Sequence, residues 1–156
     1  MSTVRLLVEI GRSGRPVHED VPAEQVGDKW RLLASPGLVM GTAAGDLLEV
    51  YENRDFDVVE RGQNIAVHVT APAGANEELD QLKARIEEMG GWCDGVGWTR
   101  DRTSSLSVFT IPYHVGFEAI EEACNEYEEA VPTGEWYYAN VYDPSDDSTP
   151  LNWWLD

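Results

Sequence analysis

The apolar pattern changes period near residue 62. Up to that point apolar residues come in short runs broken by turn formers. Thr3–Ile10 mixes β-branched and leucine side chains, and Gly11-Arg12-Ser13-Gly14-Arg15-Pro16 reads as a turn. Val17–Val21, Lys29–Ala34, Leu47–Glu52 and Phe56–Arg61 read as further strands, separated by Gly27-Asp28, Ser35-Pro36-Gly37 and Gly45-Asp46. Leu38–Ala44 is expected to form one helical turn. Short strands with turns at such intervals predict a small barrel or a strongly bent sheet over residues 1–62.

Beyond residue 62 longer elements take over. Ile65, Val67 and Val69 alternate with Ala66, His68 and Thr70, which predicts a strand over Asn64–Thr70. Leu79, Leu82, Ile86 and Met89 recur at helical spacing behind Asn76, a candidate N-cap, and Gly90-Gly91 closes that helix. Trp92–Thr99 and Ser105–Ile111 predict a hairpin ended by Pro112. A second helix is expected over Val115–Ala130, with Phe117, Ile120, Cys124, Tyr127 and Val131 on its apolar stripe. Pro132-Thr133-Gly134 stops it, and Glu135–Tyr142 reads as a last strand. The β-α-β-β-α-β order over residues 63–142 is that of a ferredoxin-like module. Residues 143–156 are a tail in which Asp143, Asp146 and Asp147 precede Leu151, Trp153, Trp154 and Leu155. The expected class is therefore α+β, a small β-rich barrel-like N-terminal module followed by a ferredoxin-like βαββαβ module.

Gly27-Asp28-Lys29-Trp30-Arg31-Leu32, the run Gly41–Val50, the helix ending at Gly90, and Gly134-Glu135-Trp136-Tyr137-Tyr138 together carry a family resemblance. The chain resembles a family of bacterial proteins known only as a domain of unknown function. The matching motifs are mostly turn glycines beside apolar strands, and they cover most of the chain except the tail. The resemblance implies the two-module layout and brings no activity, cofactor or catalytic residue with it.

Charge changes the picture most. Eleven Lys+Arg against 29 Asp+Glu give a net charge of −18. Residues 72–156 hold 18 of the acids and 4 of the bases, and residues 103–156 hold no Lys or Arg. A field of that sign repels nucleic acid and anionic lipid and attracts basic surfaces. Neither nucleic acid nor membrane is an expected partner. No apolar run approaches the ~18 residues of a membrane span. Two cysteines without an export pattern predict reduced thiols and a cytoplasmic location.

Candidate chemistry is sparse. His68 points away from the Ile65/Val67/Val69 face and reads either as a base or ligand on the open sheet face or as a hydrogen-bonded strand residue. Cys124 sits on an apolar stripe, where a thiol packs as a small hydrophobe. The Asp143–Asp147 turn lacks the glycine and bidentate glutamate of a calcium loop, and no Cys/His pair has zinc spacing, so no metal site and no cofactor are expected. Gly11-Arg12-Ser13-Gly14 lacks the Lys-Ser/Thr ending of a phosphate loop. No catalytic signature is present.

On the last strand Trp136, Tyr138, Asn140 and Tyr142 share one face, and Tyr137, Ala139 and Val141 the other. The smaller set is expected under the helices, which would place Trp136 and Tyr138 on the open face with His68. That face either binds a ligand or is covered by the N-terminal module or the tail. The second helix carries Glu118, Glu121, Glu122, Glu126, Glu128 and Glu129 with no cation of its own. Glu118/Glu122 and Glu122/Glu126 are like-charge pairs four residues apart, each costing a few tenths of a kcal/mol.

The leading expectation is an acidic protein-binding module that captures a basic protein through Glu118, Glu121, Glu122, Glu126 and Glu129. An immunity or inhibitor protein facing a cationic toxin or nuclease would fit. The alternative is a small-molecule-binding regulatory module. Its ligand would sit at the inter-module cleft or near His68, Trp136 and Tyr138. An enzyme built on His68 is the weakest of the three.

Overall fold

The computed structural model describes residues 2–10 and 14–155. The start of the first expected turn, Gly11 to Ser13, lies outside the described residues. The described chain is α+β, with two helices and two antiparallel sheets.

The first sheet holds β1 (Thr3–Ile10), β2 (Pro16–Val26), β3 (Lys29–Leu32), β4 (Leu47–Val50) and β5 (Phe56–Glu60) in chain order. β2 is longer than expected because it serves two partners. Residues from Pro16 to Pro22 pair with β1, and Ala23–Val26 pair with β3. The strand turns the sheet between them, and Val4, Leu6, Val21, Ala23, Leu32, Val39 and Leu48 fill its inside. The Leu7 N–H donates to the Arg54 carbonyl at 2.8 Å, so β1 approaches the β4–β5 turn. No ladder joins β1 to β5 among the described residues. The sheet is bent and open, not the closed barrel that its turn spacing allowed.

The expected helical turn over Leu38–Ala44 does not form. The Glu19 carboxylate accepts the N–H groups of Gly37, Leu38 and Val39 at 2.8–3.0 Å. Those donors are thereby committed to a distant side chain, and Gly41 is left-handed at φ 91°. Asp46 organises the end of the loop. It is 1% exposed, accepts from the Thr42 hydroxyl and the Ala43 and Gly62 N–H groups, and lies 3.5 Å from the Arg61 guanidinium. Gly62 passes so close to Gly45 that a Cβ there would lie 2.4 Å from the Gly45 carbonyl carbon.

The second sheet has the order β7-β8-β6-β9, from β6 (Asn64–Pro72), β7 (Trp92–Trp98), β8 (Ser104–Pro112) and β9 (Glu135–Tyr138), all antiparallel. Helices α1 (Asn76–Glu88) and α2 (Phe117–Ala130) pack on the Ile65/Val67/Val69 face, with Leu82, Ile86, Ile120, Cys124 and Tyr127 buried between. Asn76 is the first helical residue rather than the cap. Ala75 occupies that position without a side-chain bond. Gly90 ends α1 at φ 90°, and the Gly91 and Gly90 N–H groups return to the Ile86 and Glu87 carbonyls. A 3-10 turn at Tyr113–Val115 leads into α2. No helix among the described residues is long and apolar enough to cross a membrane.

The first unit covers the other face of the second sheet. Ala43 packs on Ala66 and Ala139, and the Gly41 N–H donates to the Ala139 carbonyl at 2.8 Å. β9 therefore ends earlier than expected. Past Tyr138 the Asn140 carboxamide takes the place of a strand, accepting from the Ala66 N–H and donating to the Asn64 carbonyl. The tail comes back over α2. Trp153 donates to the Asn140 carbonyl and stacks edge-on with Tyr113, Trp154 stacks with Phe117, and Arg61 lies over Trp153.

Candidate functional site

β9 is placed by the stop after α2. The turn at Gly134 brings the Glu135 N–H to the Thr70 hydroxyl, which sets the register Thr70↔Glu135, Val69↔Trp136, His68↔Tyr137 and Val67↔Tyr138. Partners across a ladder share a face. Trp136 and Tyr138 therefore lie on the helix side with Val69 and Val67, and Tyr137 lies on the His68 side. This inverts the expected faces over residues 136–139, whereas Val141, past the end of the strand, is buried in the helix-side core as expected. Ala139 was needed at the seam between the units, where backbone meets backbone. The large rings fill the wider space beside α2 and the tail.

His68, Trp136 and Tyr138 thus do not form one site. His68 is 0% exposed. Its Nε2 lies 3.0 Å from the Pro36 carbonyl oxygen and its Nδ1 3.2 Å from the Tyr137 hydroxyl. Burial pushes its pKa down. It belongs to a polar seam with the buried Ser35 and Thr110 and the half-buried Asp94. The Ser35 and Thr110 hydroxyls are 2.6 Å apart, and Thr110 donates to the Asp94 carboxylate, whose pKa burial raises.

Trp136 and Tyr138 instead line a surface cleft of about 580 Å³ with Met40, Glu121, Tyr137, Tyr142 and Asp147. The Trp136 indole donates to Asn125 at 3.0 Å, and the Tyr138 hydroxyl donates to Glu121 at 2.8 Å. Trp136 and Tyr138 meet edge-on at 5.0 Å, and Tyr142 lies 6.5 Å from Tyr138. Tyr137 and Tyr142 remain 41% and 38% exposed. Burial and the Glu121 carboxylate raise the Tyr138 pKa, so the phenol stays protonated and keeps donating. The cleft offers π faces and carboxylates without an opposing cation, which suits a cationic guest.

The five expected glutamates all lie on α2, in different surroundings. Glu121 enters the cleft. Glu126 pairs with Arg85 of α1, so the helix face is not wholly without a balancing cation. Glu118, Glu122 and Glu129 are exposed and make no hydrogen bond to described residues. With Asn125 they follow helical spacing and form a stripe between the β9 side and the α1 side.

Other candidates resolve into structure. The Asp143 and Asp146 carboxylates accept from Ser145, Ser148 and Thr149 of their own turn. The Thr149 hydroxyl and backbone donors pull the Asp146 pKa down to about 2. No group of His, Cys, Asp and Glu able to hold a metal occurs among the described residues. Cys93 and Cys124 are free, and burial pushes the Cys124 thiol up to about 12. Sequence reasoning missed Met40 and Asp147 as cleft residues. Met40 carried no signal, because its loop meets the end of β9 only in the tertiary fold, through the Gly41–Ala139 hydrogen bond and the Ala43/Ala66/Ala139 packing.

Fold and cleft together define an acidic α+β protein with an aromatic surface site at a sheet edge. Residues 19–136 match the family described as Domain of unknown function (DUF4265), and the chain belongs to that family. No curated protein matches the chain. The matched span begins at Glu19, which holds the 37–39 backbone, and ends at Trp136 in the cleft.

Proposed function

We propose that this chain is an acidic protein-binding module that captures a basic protein over α2 and the adjoining cleft. One observation carries the reading. Four aromatic side chains and two carboxylates line one cleft in the stretch that holds no Lys or Arg. Aromatic anchors in a pocket dominate binding energy, while surrounding acids steer a cationic partner. The stripe Glu118, Glu122 and Glu129 supplies that field. An immunity or inhibitor protein facing a cationic toxin or nuclease would use such a surface. Phosphate-bearing partners would meet the same field as repulsion. As a scaffold we read the βαββαβ order with β6 and β8 central as ferredoxin-like.

The test is capture of the partner from a source lysate, followed by stopped-flow association kinetics. The double variant Glu118→Lys/Glu122→Lys should slow association at least about tenfold at low salt and flatten its salt dependence. Trp136→Ala should speed dissociation. An acidic captured partner, or kinetics unchanged in both variants, would overturn the reading. A second reading, a small organic cation in the same cleft, draws on its volume, which lies in the range of ligand pockets. Displacement of the captured protein by such a cation would favour it.

A further inference from the structure

β9 is an edge strand whose only ladder neighbour among the described residues is β6. The phase of that ladder is fixed. The Ala139 N–H donates to the Ala66 carbonyl at 2.8 Å, so residues 66 and 139 stand in the phase of a hydrogen-bonded pair, with the Asn140 carboxamide taking the reciprocal Ala66 N–H. Such pairs recur every second residue. The backbone of Tyr137 therefore bonds inward to His68, and the N–H and C=O groups of Trp136 and Tyr138 point outward. No backbone partner for these outward groups occurs among the described residues.

The cleft lies on this same edge. Trp136, Tyr137 and Tyr138 all line it, although successive side chains of a strand point to opposite faces. A cavity touched by three consecutive strand residues runs along the strand's side. Edges are normally blunted by lysine, proline or a bulge. The opposite edge, β7, has a bulge between Cys93 and Gly95. β9 carries no lysine, proline or bulge; it is protected only by its shortness, four residues, and by Glu135 at its start.

We infer that the partner docks by adding an extended segment to the β9 edge as a fifth strand of this sheet. The inference rests on the proposed capture of a basic protein and specifies its mode. The segment's backbone would bond to Trp136 and Tyr138. Its side chains alternate, so every second one meets Glu121, Trp136 and Tyr138, and the intervening ones meet Tyr137 and Met40. The matching segment carries Lys or Arg at alternate positions with apolar residues between. A second copy of this chain is a poor occupant, because each brings a net charge of −18 and its own Glu121 and Asp147.

The experiment uses the full 15N-labelled chain and an end-capped peptide alternating lysine and valine. Amide hydrogen exchange is read residue by residue. In the free protein the Tyr137 amide should be protected and those of Trp136 and Tyr138 fast. Peptide should slow Trp136 and Tyr138 at least about tenfold and leave Tyr137 unchanged. N-methylation of the peptide should abolish binding at alternate backbone positions only. Binding without protection of Trp136 and Tyr138, or with no dependence on the methylated position, overturns strand addition and leaves the acidic-module reading standing. No binding of the peptide overturns strand addition as well, while the partner kinetics above judge the broader reading separately. Protection that rises with protein concentration in the absence of peptide would assign the edge to a second copy and overturn the inference.

Discussion

The Nε2 of His68 lies 3.0 Å from the carbonyl oxygen of Pro36, across the seam between the two sheets. A carbonyl can only accept, so Nε2 carries the proton. In the neutral ring Nδ1 is then the acceptor, and the Tyr137 hydroxyl donates to it. Burial lowers the His68 pKa below its ordinary 6.5, opposed by the Pro36 carbonyl and Glu19. The unfolded chain therefore takes up a proton that the folded chain refuses. The contribution of His68 to stability is full above about 6.5 and is lost as pH falls toward the lowered value. Imidazole 15N shifts should report the neutral Nε2–H tautomer at neutral pH. His68→Leu should cost about 1–3 kcal/mol at pH ~7.5 and remove part of the stability loss that sets in as pH falls below about 6.5. A denaturant series at several pH values checks both effects.

Ser35, Thr110 and Asp94 form a directed chain. Asp94 burial favours the protonated acid, but the Thr110 hydroxyl and the Trp92 indole both donate to its carboxylate. With the Thr110 proton committed, the Ser35 hydroxyl must donate to the Thr110 oxygen, and its own oxygen accepts the Ala44 N–H at 3.0 Å. Thr110→Val keeps the shape and removes the hydroxyl, stranding a buried donor on Ser35. It should cost about 1–3 kcal/mol, whereas Thr110→Ser should recover most of that. Equilibrium unfolding distinguishes the two, and equal losses would point to packing instead of the hydrogen bonds.

What the sequence makes legible is what local pattern controls. Leu82 and Ile86 mark one helix, Ile120, Cys124 and Tyr127 the other, and Ile65, Val67 and Val69 a strand; each set is buried as its period requires. Long-range decisions are not legible. Residues 37–39 are held by Glu19 from another strand, so no local rule foretells their shape. The faces of β9 depend on its register with β6, set by Thr70 and Asn140 from opposite ends. Alternation showed which residues travel together but not which set meets the helices. For the cleft, Glu121, Trp136 and Tyr138 stood out as residue types, and only the register separates them from His68.

Gly62 and Gly95 should behave oppositely on substitution by alanine. A Cβ on Gly62 would lie 2.4–2.7 Å from backbone atoms of Gly45, which cannot swing away as a side chain can. Gly62→Ala should destabilise by about 1–3 kcal/mol or more and loosen the Asp46 cluster, because the Gly62 N–H is one of its donors. Gly95 has nothing within 4 Å of its Cβ position, so Gly95→Ala should stay within about 0.5 kcal/mol of the parent. Thermal unfolding of the two variants makes the comparison.

Glu122 separates the stability of α2 from its use. It stands four residues from both Glu118 and Glu126, and Arg85 pairs with Glu126 rather than with it. Glu122→Lys removes two like-charge contacts and creates two favourable ones. At a few tenths of a kcal/mol for each contact, the variant should be more stable by about 1 kcal/mol at low salt, and less so as salt screens the charges. A stripe kept for stability would gain from the change, and one kept for a partner would lose by it. The variant should therefore unfold later and bind the basic partner more slowly. Measured together at two ionic strengths, these opposite signs would show that the glutamate stripe is held against the interest of the helix that carries it. A variant that is both more stable and equally fast to bind would leave the stripe without a binding role.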